Sequence, residues 1–309
     1  MSSPLSLVVA LTLLTPSLPA AGEEPESPAP ADTAPSAAEA AAEGTEIVEE
    51  IEEVAVAPAV KESYGDNYAR TDRIYGVMLA RTARRGSTII TINHRANEAI
   101  SKDAWFDYAG LDGGSLKIGL GARYGVLDAL DVGVFRVNGT VEVFDTYEFD
   151  ARYQVLSAAQ IGFDLAVRGG LTWFSQKHAE DASGYFGQLL VDRVFADEVV
   201  VGGGLLYHSS SSNDKKTDAD PAHSLAAALY TEYRFIPALA VDAEVCGTLS
   251  GYHSEYPAFT AGIKGYTDRH TFSLFVSNTQ YMGADGMVAG TWRGKPESFI
   301  IGFNITREL

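Results

Sequence analysis

From residue 87 to the last residue, apolar and polar side chains alternate in runs of about ten, each parted from the next by a turn or loop. In QIGFDLAVRGGLTWF (160–174), Ile161, Phe163, Leu165, Val167, Leu171 and Trp173 hold odd positions, while Gln160, Asp164, Arg168 and Thr172 hold even ones. A period of two sends neighbouring side chains to opposite faces of a strand, so such a run predicts one apolar and one polar face. Twelve runs qualify, near 87–95, 116–126, 131–137, 141–155, 159–174, 184–195, 198–209, 223–235, 238–249, 257–266, 270–280 and 297–309. The chain is therefore read as all-β, and its 30 glycines and 10% aromatic content agree.

The links between these runs alternate in length. Short ones lie at 127–130, 156–158, 196–197, 236–237 and 267–269, and long ones at 96–115, 175–183, 210–222, 250–256 and 281–296; only 137–140 is shorter than its place predicts. A soluble sandwich has no reason to gather its long loops at one end, whereas an outer-membrane barrel joins tight periplasmic turns with longer extracellular loops. Width then orients the faces. Around eight strands enclose an interior that side chains can fill, but twelve enclose more than one apolar layer can occupy. The apolar face is thus expected to meet lipid, with Trp173 in an outer aromatic girdle. Charges of both signs then face a wet lumen and pair across it. Parity and mid-strand position point Lys117, Arg123, Arg152, Asp164, Arg168 and Glu232 inward and make them candidates for lumen selectivity. The fold expected is a transmembrane antiparallel β-barrel of about twelve strands.

The segments INHR (92–95), LGARYGVLDALDVGV (120–134), TFSLFVSNTQ (271–280) and the ending GFNITREL (302–309) resemble an uncharacterised family of bacterial β-barrel proteins, a domain of unknown function. The resemblance covers about residues 73–309. It implies an outer-membrane-type barrel in a Gram-negative envelope and brings no activity, ligand or catalytic residue.

Ahead of the barrel, residues 1–21 carry an apolar run from Leu5 to Leu14 followed by small residues, which reads as a secretory signal peptide. Residues 22–60 are rich in Ala, Pro and Glu and hold eleven acidic residues with no Lys or Arg. Such a segment buries too little apolar surface to fold alone and is read as a disordered acidic periplasmic linker, open to a periplasmic protein partner. Ile47, Ile51 and Val54 share a helical face within it, read as a transient helix. The net charge of −18 shrinks to −7 over residues 61–309, the expected barrel domain, and no basic surface for nucleic acid is present.

Chemistry is sparse. Cys246 is the single cysteine, so no internal disulfide forms, and the histidines lack metal-ligand spacing. No cofactor is implied. The sharpest enzymatic candidate is YHSSSSND (207–214), where His208 and Ser210 resemble the His-x-Ser of outer-membrane phospholipases and lipid A deacylases, with Asn213 to orient the ring. Strand parity turns His208 inward, away from an acyl chain in the membrane. In the adjoining loop Asn213, Asp214, Asp218 and Asp220 offer oxygens to calcium without the spacing or glycine of a calcium loop, and are read as solvated. VGGGLLY (201–207) is no phosphate loop, because no helix follows it; its glycines fit a bend or close packing within a strand. Three function classes stand: a channel or uptake pore for small polar solutes, a non-conducting structural or docking barrel, and a lipid acyl hydrolase using His208 and Ser210. Outer-membrane lipid is the expected surrounding, with both termini periplasmic.

Overall fold

The structure, a computed structural model, describes residues 71–100, 116–139, 145–175, 181–211 and 222–309. The expected signal peptide and linker, Asn213, and the calcium candidates Asp214, Asp218 and Asp220 lie outside the described residues. Twelve strands are present: β1 (Thr88–Arg95), β2 (Lys117–Leu127), β3 (Leu130–Val137), β4 (Asp145–Leu156), β5 (Asp164–Ser175) and β6 (Ala182–Phe195). They continue with β7 (Val199–His208), β8 (Ser224–Ile236), β9 (Leu239–Gly251), β10 (Ala258–Tyr266), β11 (His270–Ser277) and β12 (Ile300–Glu308). Each pairs antiparallel with its neighbours in sequence, and β1 closes on β12 from Ile89↔Glu308 to Arg95↔Gly302. The ring is closed, so no strand edge is left to pair with another chain.

Alternation along each strand sorts the faces as the sequence indicates. In β5, Val167, Leu171 and Trp173 point out, with Leu171 63% exposed, while Asp164, Arg168 and Thr172 are buried within the barrel. A belt of Leu, Val, Phe and Tyr this continuous is unsuited to water and matches hydrocarbon. No helix among the described residues is long and apolar enough to cross a membrane; the crossing elements are strands. The tight links and the β1–β12 junction mark one rim, the turn end, and the long connections mark the other, the loop end.

Residues 141–144, expected to open β4, lie outside the described residues; elsewhere three strand bounds differ from the alternation by three residues or more. β5 starts at Asp164 because residues 158–161 form a single helical turn, α1 (Ala158–Ile161). Ser157 caps it, with Gln160 completing a reciprocal box, and left-handed Gly162 ends it; local capping outcompetes a strand pattern carried there only by Ile161 and Phe163. β11 stops at Ser277, where Asn278 turns its side chain onto the β10 backbone, accepting from Phe259 N at 2.7 Å and donating to Pro257 O at 2.9 Å. β12 begins at Ile300 because Pro296 opens a 3-10 turn over Pro296–Ser298. Between β6 and β7, Ala196 and Asp197 take φ of 50° and 57°, the left-handed central pair of the turn that Glu198 N closes onto Phe195 O at 3.0 Å.

Leu229 on β8 is 65% exposed and near the middle of its strand. Leu229→Arg should therefore destabilise the bilayer-embedded barrel by about 2–4 kcal/mol, whereas Leu309→Arg at the rim should cost about 0–1 kcal/mol. Denaturant unfolding of the two variants in lipid vesicles checks this difference.

Candidate functional site

The inner wall carries the chemistry. Lys117, Arg123, Arg152, Asp164, Arg168 and Glu232 are all buried on the inward face. Three of them, Arg123, Arg152 and Arg168, join one network across β2–β5. Arg123 pairs with Asp131 at 2.6 Å and Asp150 at 2.7 Å; Arg152 pairs with Asp131 at 2.6 Å; Arg168 pairs with Asp150 at 2.8 Å and Glu148 at 3.0 Å. Glu232 belongs to a second network around the ring, where Lys264 holds it at 2.6 Å and Asp242 at 2.8 Å. Asp164 sits at the turn end, accepting from Gln154 Nε2 and the Ala158 N–H, both at 2.7 Å. Lys117 lies at the loop end, 5.7 Å from the Tyr281 ring centre. The six thus fall into separate places rather than one cluster. Pairing makes their burial tolerable, since an unpaired charge in a dry interior costs several kcal/mol.

Between the two networks the lumen is not empty. Residues 72–79 fold into a hairpin inside it, closed by Ile74 N→Val77 O and Leu79 N→Asp72 O, each at 3.0 Å. The consecutive N–H groups of Tyr75, Gly76 and Val77 converge on the Glu244 carboxylate of β9 at 2.9–3.1 Å, a cradle of aligned donors around one anion. Tyr75 Oη donates to Asp242. Beyond the hairpin the chain steps down the wall, with Ala80 N on Asp192 at 2.6 Å and Ala83 N on Asp131 at 2.7 Å. On the opposite side, Arg152 donates to the Leu79 carbonyl at 2.6 Å. Burial alone would raise the Asp72 carboxyl, but the Arg73, Arg123 and Arg152 guanidiniums around it hold it well below the usual carboxylate range. The hairpin therefore bridges the lumen from β4 to β9.

A second insertion comes from the loop between β11 and β12. Its short helix α2 (Ala284–Ala289) is buried, with Ala284 N donating to Glu148 and Thr248 Oγ1 donating to the Val288 carbonyl at 2.5 Å. Hairpin and helix share an apolar cluster of Ile74, Tyr75, Val77, Leu79, Met287 and Val288 against inward Ala226, Ala228, Cys246 and Ala258. They meet at Gly76, where a Cβ would come within 2.7 Å of Met287 Sδ. Small wall residues make the same kind of room elsewhere: Gly202 lets the Tyr230 ring lie flat over β7, so that its hydroxyl reaches Asp192 at 2.9 Å. The uniformly wet lumen expected from strand parity is corrected here. The wall carries paired charges over β2–β5 and again over β8–β10, small apolar residues such as Ala226, Ala228, Cys246 and Ala258 stand beside the second set, and segments from outside the strands occupy the space between.

His208 is buried on the inward face, and both ring nitrogens are occupied: Nδ1 accepts from Ser210 N at 3.0 Å and Nε2 pairs with Thr172 Oγ1 at 2.9 Å. A donor on Nδ1 leaves the proton on Nε2, which points to Thr172 rather than to the Ser210 hydroxyl. The nucleophile–base contact that hydrolysis needs is not formed. Among the described residues no group of three His, Cys, Asp or Glu is placed to hold a metal ion.

The hairpin and its anchors, Glu244, Asp192 and Asp131, were not among the expected site residues. The signal was present in IYGVMLA (74–80), a continuous apolar run around a glycine just before the first strand, and in GMVAG (286–290), apolar in a loop that should be polar.

A family model described as "Membrane bound beta barrel domain (DUF5777)" matches residues 72–309. No curated protein matches the chain. Among solved structures, an outer membrane channel from Pseudomonas putida F1 is 14% identical, with 74% of this chain and 98% of that chain covered and a TM-score of 0.48. The NanC porin is 9% identical, covering 72% and 98%, with a TM-score of 0.43. Outer membrane phospholipase A from Escherichia coli is 12% identical, covering 81% and 98%, with a TM-score of 0.39. None of these values carries a substrate or an activity over to this chain.

Two outcomes follow from the insertions. Glu244→Ala removes the acceptor of three N–H groups and should weaken hairpin seating by about 2 kcal/mol, so that amide exchange at Tyr75, Gly76 and Val77 quickens about thirtyfold. In α2, burial and the Glu148 carboxylate push Asp285 up to about 7, partly offset by the Gly286 and Asp285 N–H groups and Lys117. A carboxyl raised in the folded state stabilises in its protonated form. Docking of α2 is thus strongest below the ordinary carboxylate range near 4 and weakens as pH rises through about 7. Protection factors at Met287 and Val288 should fall between about pH 4 and pH 7 and level off above, and Asp285→Asn should flatten that dependence.

Proposed function

We propose, from the premise that the chain belongs to this family of membrane-bound β-barrel domains, that it is an outer-membrane channel for small polar solutes, closed in this conformation by the hairpin of residues 72–79. The observation that carries the reading is how the hairpin is held. Hydrogen bonds to Glu244 hold the hairpin and bonds to Asp192 and Asp131 hold the chain that follows it, and water can replace each of them at a net cost of about 1.5–3 kcal/mol. The closure is seated rather than fused to the wall. Lys117, Arg123, Arg152, Asp164, Arg168 and Glu232 are the residues proposed to set selectivity once it is displaced.

In an outer-membrane barrel the tight turns face the periplasm. The first and last strands end together at that rim, where Thr88 and Leu309 exchange backbone hydrogen bonds at 3.2 and 2.8 Å. On this reading the start of the first barrel strand and the end of the last face the periplasm, and a partner protein for the acidic residues 22–60 is proposed there.

A second reading, a non-conducting docking barrel, draws support from the apolar cluster that joins the hairpin to α2. Planar-bilayer recordings of the full chain separate the two. The native protein should be quiet or open briefly, and Glu244→Ala should give steady, salt-dependent conductance steps. If both proteins migrate as folded, heat-modifiable barrels and both stay silent, the channel reading falls and the docking barrel stands.

A further inference from the structure

On the loop-end half of the inner wall, two rungs of the β12–β1–β2 ladder carry polar groups that the closed conformation leaves unused. One rung is Gly302–Arg95–Lys117 and the next is Asn304–Asn93–Gly119. Arg95 and Asn93 are both 0% exposed, and Asn304 is 4% exposed. Arg95 donates Nη1 to the Thr279 carbonyl at 2.9 Å, but its Nε and Nη2 have no partner. Neither do Asn93 Nδ2, Asn93 Oδ1 and Asn304 Oδ1. The Glu244 carboxylate attracts the Arg95 charge, but no described carboxylate forms an ion pair with it. The Phe275 ring, 5.4 Å from the guanidinium, offsets little of the cost of a buried cation. Lys117 stands directly opposite Arg95 on β2, so two like charges adjoin on one face.

The free groups define a complementary ligand. Nε and Nη2 are the two donors along one edge of the guanidinium, the fork that takes both oxygens of a carboxylate. One rung down, an orphaned amide donor and two orphaned carbonyl acceptors suit hydroxyl groups, which donate and accept at once. The rungs are about 7 Å apart along the strand, and neighbouring strands are about 4.8 Å apart, the span of a six-carbon acid. Aromatic rings bound the patch on either side: Phe135 lies over Gly119 and Phe275 over Gly302, each where a Cβ would collide with the ring at 2.6 and 2.4 Å.

We propose that Arg95, Asn93 and Asn304 form a binding site for a small hydroxylated carboxylate on the inner wall. The site deepens the channel reading by naming its solute class, and rests on that reading only for the solute's route to the lumen. The Thr279 carbonyl occupies only Nη1 of the guanidinium, which leaves the Nε–Nη2 edge for the solute.

Isothermal titration of the full chain in detergent tests the site with three probes: gluconate, glucose and propionate. Gluconate should bind, propionate at least tenfold more weakly, and glucose without measurable heat. Arg95→Gln should weaken gluconate at least tenfold, and Arg95→Lys, which keeps the charge but loses the fork, should weaken it several-fold. Asn93→Ala should weaken gluconate and leave propionate unchanged. Heat-modifiable migration establishes that each variant is folded, and Arg95→Lys serves where Arg95→Gln does not fold. No gluconate binding by the native chain, equal binding of propionate, or gluconate affinity indifferent to Arg95 would overturn the proposal. Arg95-dependent binding in a protein silent in bilayers would overturn conduction alone, and conductance without such binding would overturn the site alone.

Discussion

Hydrocarbon accepts no hydrogen bonds, and the rest of this structure depends on that. Every N–H and C=O of a lipid-facing strand must find its partner on another strand, which forces the ring shut between β1 and β12. Closure turns one face of every strand to lipid and leaves the other for everything polar. With twelve strands the inner faces are too far apart to fill the space between them with one layer of side chains. The remaining space is occupied by backbone from outside the ring, the hairpin at 72–79 and the loop carrying α2.

Backbone brought into such a space carries its own unsatisfied groups, and the wall supplies what they need. Glu244, Asp192 and Asp131 accept N–H groups, and Arg152 donates to a carbonyl. Asp131 also neutralises wall cations, so one residue serves both pairing and docking, for Arg123, Arg152 and Ala83. Where the hairpin is apolar the wall is small instead, at Ala226, Ala228, Cys246 and Ala258. The lumen is divided by what the inserted chain presents to each side.

The barrel was legible because its signal is periodic. A lipid-facing row of Val167, Leu171 and Trp173 against buried Asp164, Arg168 and Thr172 can be read without knowing any partner. Strand ends were less legible where local chemistry took over, as at Ser157 and Pro296. The inward direction of Arg123 or Glu232 follows from parity, but which carboxylate meets Arg123 depends on strand register, and no periodicity encodes it. The hairpin left a clear mark, IYGVMLA, yet its meaning depends on Glu244, 167–169 residues away in sequence. An apolar run beside a barrel is equally a strand, an anchor or a filling, and only the three-dimensional fold separates them.

The hairpin directly precedes the strand that closes the ring, and this bears on how the ring forms. Ile89 and Glu308, paired at the seam, lie 219 residues apart, so their meeting closes nearly the whole barrel sequence as one loop. Contact between Val77 and Glu244 cuts that loop to roughly a third, which lowers the entropy cost of the seam by about 1 kcal/mol. A segment seated in the lumen of the finished barrel thus also lowers the cost of bringing its first strand to its last.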